Sequence, residues 1–450
     1  MTGAVAVNRL ETEPVWRLLL GYSLPAIVSM TVVSLYNIFS SIFIGHGVGA
    51  LAISGLAVTF PFMNLVLAVC LLVAIGGATV CSIELGAKRL GRAAQVLGHN
   101  VVLSLALAVV FAALSLIFLD PILILFGASP ETLPYARDYM EIILWGAPVG
   151  NLMIAFSHLM RATGFPTKSM LVQLASVGSN IALTPLFIFV FGWGIKGAGL
   201  ATVLSQLIGL AMLLPHFFDK SQPVHFQRGI FRLDYSVVKA LVSVGLSPFL
   251  INLCACLIVM VINMGVKTYG GDLAIGAYGI INRLLMLFVM VIFGIAQGMQ
   301  PIVGYNYGAQ RLDRVRTTLY YGIFAATAVA LTGSLASQLF PAFLAGLFTD
   351  HPELIALAVN GLRICTAAFF LVGSQIVITI FFQSMGRASI AIFLSLSRQL
   401  LFLLPGLIFL PRFFGIDGIW ISLPIADVTA AFVTISILRY SLRHPPMRYA

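Results

Sequence analysis

The sequence predicts an all-α polytopic membrane protein, with twelve transmembrane helices in two six-helix lobes related by a pseudo-twofold axis along the membrane normal. Three observations carry that expectation. The first is apolarity: of 450 residues, 60% are hydrophobic and only 9% charged, against about 25% charged in an ordinary soluble domain. From Leu18 to Ile83 there is no Asp, Glu, Lys or Arg, room for two spans of about 20 residues each. The second is an internal repeat at a shift of 222 residues. Gly86-Ala87-Lys88-Arg89-Leu90-Gly91-Arg92 returns as Gly308-Ala309-Gln310-Arg311-Leu312-Asp313-Arg314, Leu51-Ala52-Ile53 as Leu273-Ala274-Ile275, and Gly164 as Gly386. The third is the placement of charge. Of the 25 Lys and Arg, only Arg137, Lys196, Lys267 and Arg412 fall on one side, and Arg283, Arg363 and Arg398 lie within spans. The rest sit at the termini and the even-numbered connections. A direct repeat that keeps its basic loops on one side needs an even number of helices per half, and six satisfies this.

Apolar runs between charged or Gly/Pro breaks give the spans in order. The first half holds 16–44, 50–81, 95–119, 134–160, 169–191 and 197–217. The second holds 238–266, 273–304, 317–341, 355–384, 389–411 and 417–440. Residues 1–217 are therefore read as an N-terminal lobe, 218–237 as a polar, basic cytoplasmic linker, and 238–450 as a C-terminal lobe. Both termini are expected in the cytoplasm by the positive-inside rule, with the chain multi-pass in the plasma (inner) membrane. No apolar run has the flanks of a removable signal peptide. Eight prolines fall within spans: Pro25, Pro61, Pro148, Pro185, Pro248, Pro301, Pro405 and Pro424. Each removes a backbone donor and bends its helix.

The net charge of +10 follows topology rather than nucleic acid, since the basic residues lie in short connections. The five cysteines all lie in apolar stretches and read as packing residues, with neither disulfide nor metal spacing. There is no paired-carboxylate motif, nucleophile elbow or phosphate-cradling glycine loop, so transport is expected rather than catalysis, with no cofactor and no metal.

Ionisable groups inside spans are costly and are the default site candidates. Asp427 lies about ten residues into the last span and Arg283 about ten into the eighth, following Asn282; the two form a possible pair across the second lobe. His158 lies in the fourth span, a turn before Arg161, and Glu141 lies in the same span nearer the outer surface. Glu84 is expected to pair with Lys88 at i,i+4. Uncharged polar residues add Asn37, Asn180, Gln206, Gln297 and Gln300, which hydrogen-bond either substrate or neighbouring helices. Met286 offers soft apolar contact.

The chain resembles the multidrug and toxic compound extrusion (MATE) transporters, bacterial multidrug branch. The resemblance rests on Tyr36-Asn37-Ile38 leading to Ile42-Phe43-Ile44-Gly45, on Arg161-Ala162-Thr163-Gly164, and on Gly294-Ile295-Ala296-Gln297-Gly298-Met299-Gln300-Pro301 running into Gly304-Tyr305-Asn306-Tyr307-Gly308-Ala309. Pro424-Ile425-Ala426-Asp427 and Ala201-Thr202-Val203-Leu204-Ser205-Gln206 extend it to essentially the whole chain. It implies an antiporter exporting organic, amphipathic or cationic compounds in exchange for protons or sodium ions entering down their gradient; one chain encloses a site, so a monomer is expected. Two positions depart from that branch: Ser40 and Thr184 stand where it carries carboxylates. Neither hydroxyl titrates in a useful range, so the expectation is either that coupling has moved to Asp427 or His158 or that the substrate is not a typical cationic drug. The second reading is a flippase of lipid-linked substrates in the same superfamily. It ranks lower because only Arg283, Arg363 and Arg398 supply positive charge within spans.

Overall fold

The computed structural model describes residues 9–443. The charge-free run forms α1 (Val15–Gly47) and α2 (Ala50–Gly86), and the basic loop after it leads into α3 (Leu90–Ile117) and the short α4 (Leu119–Leu125). Next come α5 (Leu133–Ala162), α6 (Pro166–Pro185), which continues as a π-helical turn over Leu186–Val190, and α7 (Gly194–Phe218). After the linker, α8 (Tyr235–Gly271) and α9 (Leu273–Gly308) follow without a gap, their helical path interrupted only at Gly271. The remainder is α10 (Leu312–Leu339), the short α11 (Pro341–Gly346), α12 (Pro352–Cys365) and α13 (Phe370–Ser384). Then come α14 (Ala388–Leu396), a π-helical turn over Ser397–Leu403, α15 (Leu404–Phe409), α16 (Pro411–Phe414) and α17 (Ile416–Arg443). Eleven helical stretches among the described residues are long and apolar enough to cross a membrane, and the bent pair α12–α13 makes a twelfth.

The repeat in the sequence reappears in the backbone. Positive φ occurs at Gly49 (110°) and Gly271 (70°), at Gly164 (102°) and Gly386 (74°), and at Gly194 (54°) and Gly415 (58°). The non-glycine pair Lys88 and Gln310, both at 59°, keeps the same register. Each of these last two closes a helix in a Schellman turn. Arg89 N–H donates to the Glu84 carbonyl at 2.9 Å, and Arg311 N–H to the Asn306 carbonyl at 2.8 Å. Within one packing unit, Gly86 lies against the Tyr305 carbonyl and Gly308 against the Ile83 carbonyl, approaches that leave no room for a Cβ.

Three expected spans are not continuous α-helices: the fifth, expected over 169–191, passes into the π turn after Pro185, and the tenth and eleventh are broken as well. The tenth, expected over 355–384, bends by 55° between Cys365 and Phe370. Its carbonyls are claimed from α10: Ser334 Oγ donates to the Thr366 carbonyl at 2.7 Å and Gln338 Nε2 to the Arg363 carbonyl at 2.6 Å. Thr366 Oγ1 donates to the Leu362 carbonyl at 2.7 Å, competing with the helical ladder. The eleventh, expected over 389–411, is interrupted by the π turn just before Pro405, which has no N–H to continue an α-helical ladder. Glu84 also departs from expectation. The left-handed backbone at Lys88 ends the helix before an i,i+4 pair forms, and Glu84 instead faces Arg89 at 3.5 Å and Arg92 at 3.9 Å.

The chain packs as two units. One comprises Val28–Phe249 with the segment ending at Pro14 and Gly304–Arg311; the other comprises Val15–Ile27, Leu250–Val303 and the chain from Leu312 onward. The first has an apolar core around Ile44, Phe62, Met140, Leu144 and Ile188. The second centres on Ile262, Tyr278, Ile281, Leu362 and Trp420. Residues 218–237, expected to be a linker, belong to the first unit and are tied down by hydrogen bonds. His99 Nε2 accepts from the Asp234 N–H at 2.7 Å, and Asp234 in turn caps α8 through the Ser236 N–H at 2.8 Å.

Candidate substrate and coupling sites

In the first unit a cavity of about 290 Å³ opens between α1, α2, α5 and α7. Tyr36, Ser40, Met63, Asn151, Thr202 and Gln206 line it, and none of the residues lining it carries a charge. A neutral hydrogen-bond network closes its wall. Tyr36 Oη and Thr202 Oγ1 are 3.0 Å apart, and Asn180 Nδ2 donates to Thr202 Oγ1 at 3.3 Å and to Ser205 Oγ at 3.4 Å. Thr184 Oγ1 donates to Asn180 Oδ1 at 2.8 Å. Thr184 thus occupies the expected carboxylate position as a buried donor, and the whole network is satisfied by hydroxyls and amides that carry no proton on and off near neutral pH. Cys70 Sγ donates to Asn151 Oδ1 on the same wall.

The second unit holds the buried charge. Asp427, on the inner face of α17, is 2% exposed. Its Oδ1 accepts from Arg398 Nε at 2.8 Å and from Arg398 Nη2 at 2.7 Å. Arg398 rides on the π turn Ser397–Leu403, which packs against α17. Gln375, on α13, donates from Nε2 to the Asp427 main-chain carbonyl at 2.6 Å, while its Oε1 is buried without a partner among the described residues. The expected Asp427–Arg283 pair does not form. Ile281 and Leu284 of α9 turn into the core of the unit, which leaves Asn282, Arg283 and Met286 exposed on the other face of that helix.

The remaining candidates are dispersed. His158 is buried on α5, a turn before Arg161, and does not line the cavity. Gln297 is partly buried and Gln300 buried, both on α9. Asn37 lies in α1, but its side chain is outside the described residues. Asn180 and Thr184 of α6 are joined to each other and to Thr202 and Ser205 of α7, Gln206 of α7 lines the cavity, and Asp427 belongs to the second unit.

Arg398 is the partner that sequence alone does not assign to Asp427, and the repeat points to it once the contacts of the first unit are known. The shift of 222 carries Met153 to Gln375 and Ser176 to Arg398, and 221 carries Gln206 to Asp427. In the first unit those positions already meet. Ser176 Oγ donates to the Ser205 carbonyl, beside Gln206, at 2.8 Å, and lies 4.0 Å from Met153 Sδ. The same three-helix junction is therefore soft and neutral in one half and ionic in the other.

Outside the spans, two linker carboxylates are shifted. Hydrogen bonds from Gln222 and from Ser221 hold Asp219 down at about 2. The Ser236 N–H lowers Asp234 below the ordinary aspartate value.

The MatE family model matches residues 25–186 and 248–408. The multidrug export protein MepA of Staphylococcus haemolyticus (strain JCSC1435) is 28% identical over 434 residues, covering 96% of this chain and 95% of its own length. The solved structure of the MATE multidrug transporter DinF-BH, a ligand complex, is 36% identical with a TM-score of 0.88, covering 96% of both chains. A MATE structure in a bent conformation, 24% identical with 98% of both chains covered, shares the fold at a TM-score of 0.92. The chain is a multi-pass membrane protein of the MatE family, the multidrug and toxic compound extrusion transporters.

Proposed function

We propose that the chain is a secondary-active efflux antiporter that exports amphipathic organic compounds, coupled to proton entry through Asp427. Its relatives' names carry multidrug export. The observation that carries the coupling assignment is the buried Asp427–Arg398 pair in a chain whose first-unit cavity has no titratable carboxylate. A cavity of aromatic, methionine and amide groups favours amphipathic ligands through apolar contact and a few hydrogen bonds. Cationic compounds would gain only the faces of aromatic rings there.

A proton suits Asp427 better than sodium does. Sodium requires several oxygen ligands, and Asp427 Oδ1 already receives two guanidinium N–H groups; a proton needs one lone pair. Neutralising Asp427 removes the partner of Arg398, and the unpaired Gln375 Oε1 on the neighbouring helix offers an alternative acceptor. Such a two-state element is what links ion entry to a conformational step. In this reading residues 1–217 and 238–450 are the two lobes, 218–237 is a cytoplasmic linker, both termini face the cytoplasm, and a monomer suffices. A flippase reading has less support, because Arg398 is neutralised by Asp427 and Arg283 stands on an exposed helix face.

The test is dye transport by the protein reconstituted in liposomes, under separately imposed proton and sodium gradients, with neutral and cationic amphipathic dyes. The proton gradient alone is expected to drive transport of both dyes. Transport driven only by sodium would overturn the proton assignment, and no transport under either gradient would overturn the antiporter.

A further inference from the structure

We propose a zwitterionic lipid-headgroup site, for a primary-amine phospholipid such as phosphatidylethanolamine, at the end of the first unit opposite the basic α2–α3 connection. A cavity of about 260 Å³ lies there between the end of α3, α4 and α5, lined by Leu116, Asp120, Pro121, Arg137, Glu141 and Trp145 among others. Arg137, Glu141 and Trp145 stand four residues apart on α5 and so share one face. Arg137 Nη1 donates to Asp120 Oδ2 at 3.1 Å, and the pair is half-exposed. The other carboxylate oxygen, Asp120 Oδ1, is buried with no partner among the described residues.

The chemistry of the cavity matches one headgroup. Arg137 supplies N–H donors for a phosphate. Two carboxylates, Asp120 and Glu141, supply acceptors for an ammonium, and Asp120 Oδ1 lacks a donor in particular. A primary ammonium brings three N–H donors, whereas a quaternary ammonium brings none and a glycerol headgroup brings no positive charge. That distinguishes phosphatidylethanolamine from phosphatidylcholine and phosphatidylglycerol. The surroundings fit a lipid rather than a free ion: Trp145 is 72% exposed, Ile117 71% and Leu125 81%, an apolar collar where acyl chains would lie. Indole rings collect at this depth of a membrane. Nothing in the site requires lipid to be moved across the bilayer, so it is independent of the transport reading.

The experiment is native mass spectrometry of the delipidated full chain titrated with short-chain phosphatidylethanolamine, phosphatidylcholine and phosphatidylglycerol, and with free phosphorylethanolamine. The ethanolamine lipid is expected to bind about tenfold more tightly than the other two, the scale of one charge-assisted hydrogen bond. Glu141→Gln and Asp120→Asn are each expected to bring that preference to within about twofold while keeping the parent's melting temperature in phosphatidylcholine. Equal binding of the three lipids would overturn the site, as would a preference unchanged in both variants. Should Asp120→Asn fail to fold, Glu141→Gln decides alone. Phosphorylethanolamine binding as tightly as the lipid would overturn the membrane source of the ligand.

Discussion

At Asp427 the carboxylate is buried in the second unit and answered by Arg398, whose side chain keeps 32% of its surface exposed. Removing one member of a buried pair strands the other, at about 3–5 kcal/mol, while replacing both by apolar groups is often neutral. The exposure of Arg398 lowers that figure through solvent screening. Arg398→Leu is therefore expected to cost about 2 kcal/mol, and Arg398→Leu with Asp427→Leu less than Arg398→Leu alone, read as melting temperatures in detergent. A double variant less stable than the single one would mean that the pair is net stabilising. The sequence made Asp427 a candidate, because a carboxylate ten residues into an apolar span is costly, and the structure finds it buried and paired. Arg283 was only a possible partner from sequence, because helical phase alone does not say which face of α9 meets α17, and the structure gives Arg398 instead. The repeat identifies the partner only once the first unit's contacts are known: Ser176 meets the Ser205–Gln206 segment there, and its counterpart at the same offset is Arg398.

Among the elements, the spans were readable and their interruptions were not. Hydropathy located α1 to α3 and α5 to α10 because long apolar stretches have no other stable environment. The bend at 366–369 depends on Ser334 and Gln338 taking carbonyls from a neighbouring helix, information no local pattern carries. The linker was legible as polar, but its order comes from specific hydrogen bonds around Asp219 and Asp234. Asp219 is held at about 2 in the folded chain, below the unperturbed value of about 3.9. A lowered carboxylate favours the folded linker above the unfolded pKa, and that contribution is lost as pH falls from about 4 toward 2. The Asp219 carboxyl carbon, followed by NMR, is expected to titrate near pH 2 in the protein. A midpoint near the unperturbed value would show that the Ser221 and Gln222 hydrogen bonds do not persist in solution.

For the whole molecule, the repeat sets a common backbone and the two halves fill it with different chemistry. Matching positive-φ positions show the common backbone, and the junction of Met153, Ser176 and Gln206 against Gln375, Arg398 and Asp427 shows the divergence. In the proposed cycle, coupling runs through the ionic junction while the neutral cavity holds substrate. One liposome measurement bears on it most directly: proton-driven transport and equilibrium dye binding by Asp427→Asn and His158→Ala beside the parent. Asp427→Asn is expected to keep its dye affinity within about twofold and to lose at least about tenfold in driven transport, with His158→Ala close to the parent. Driven transport by Asp427→Asn at the parental rate would contradict it.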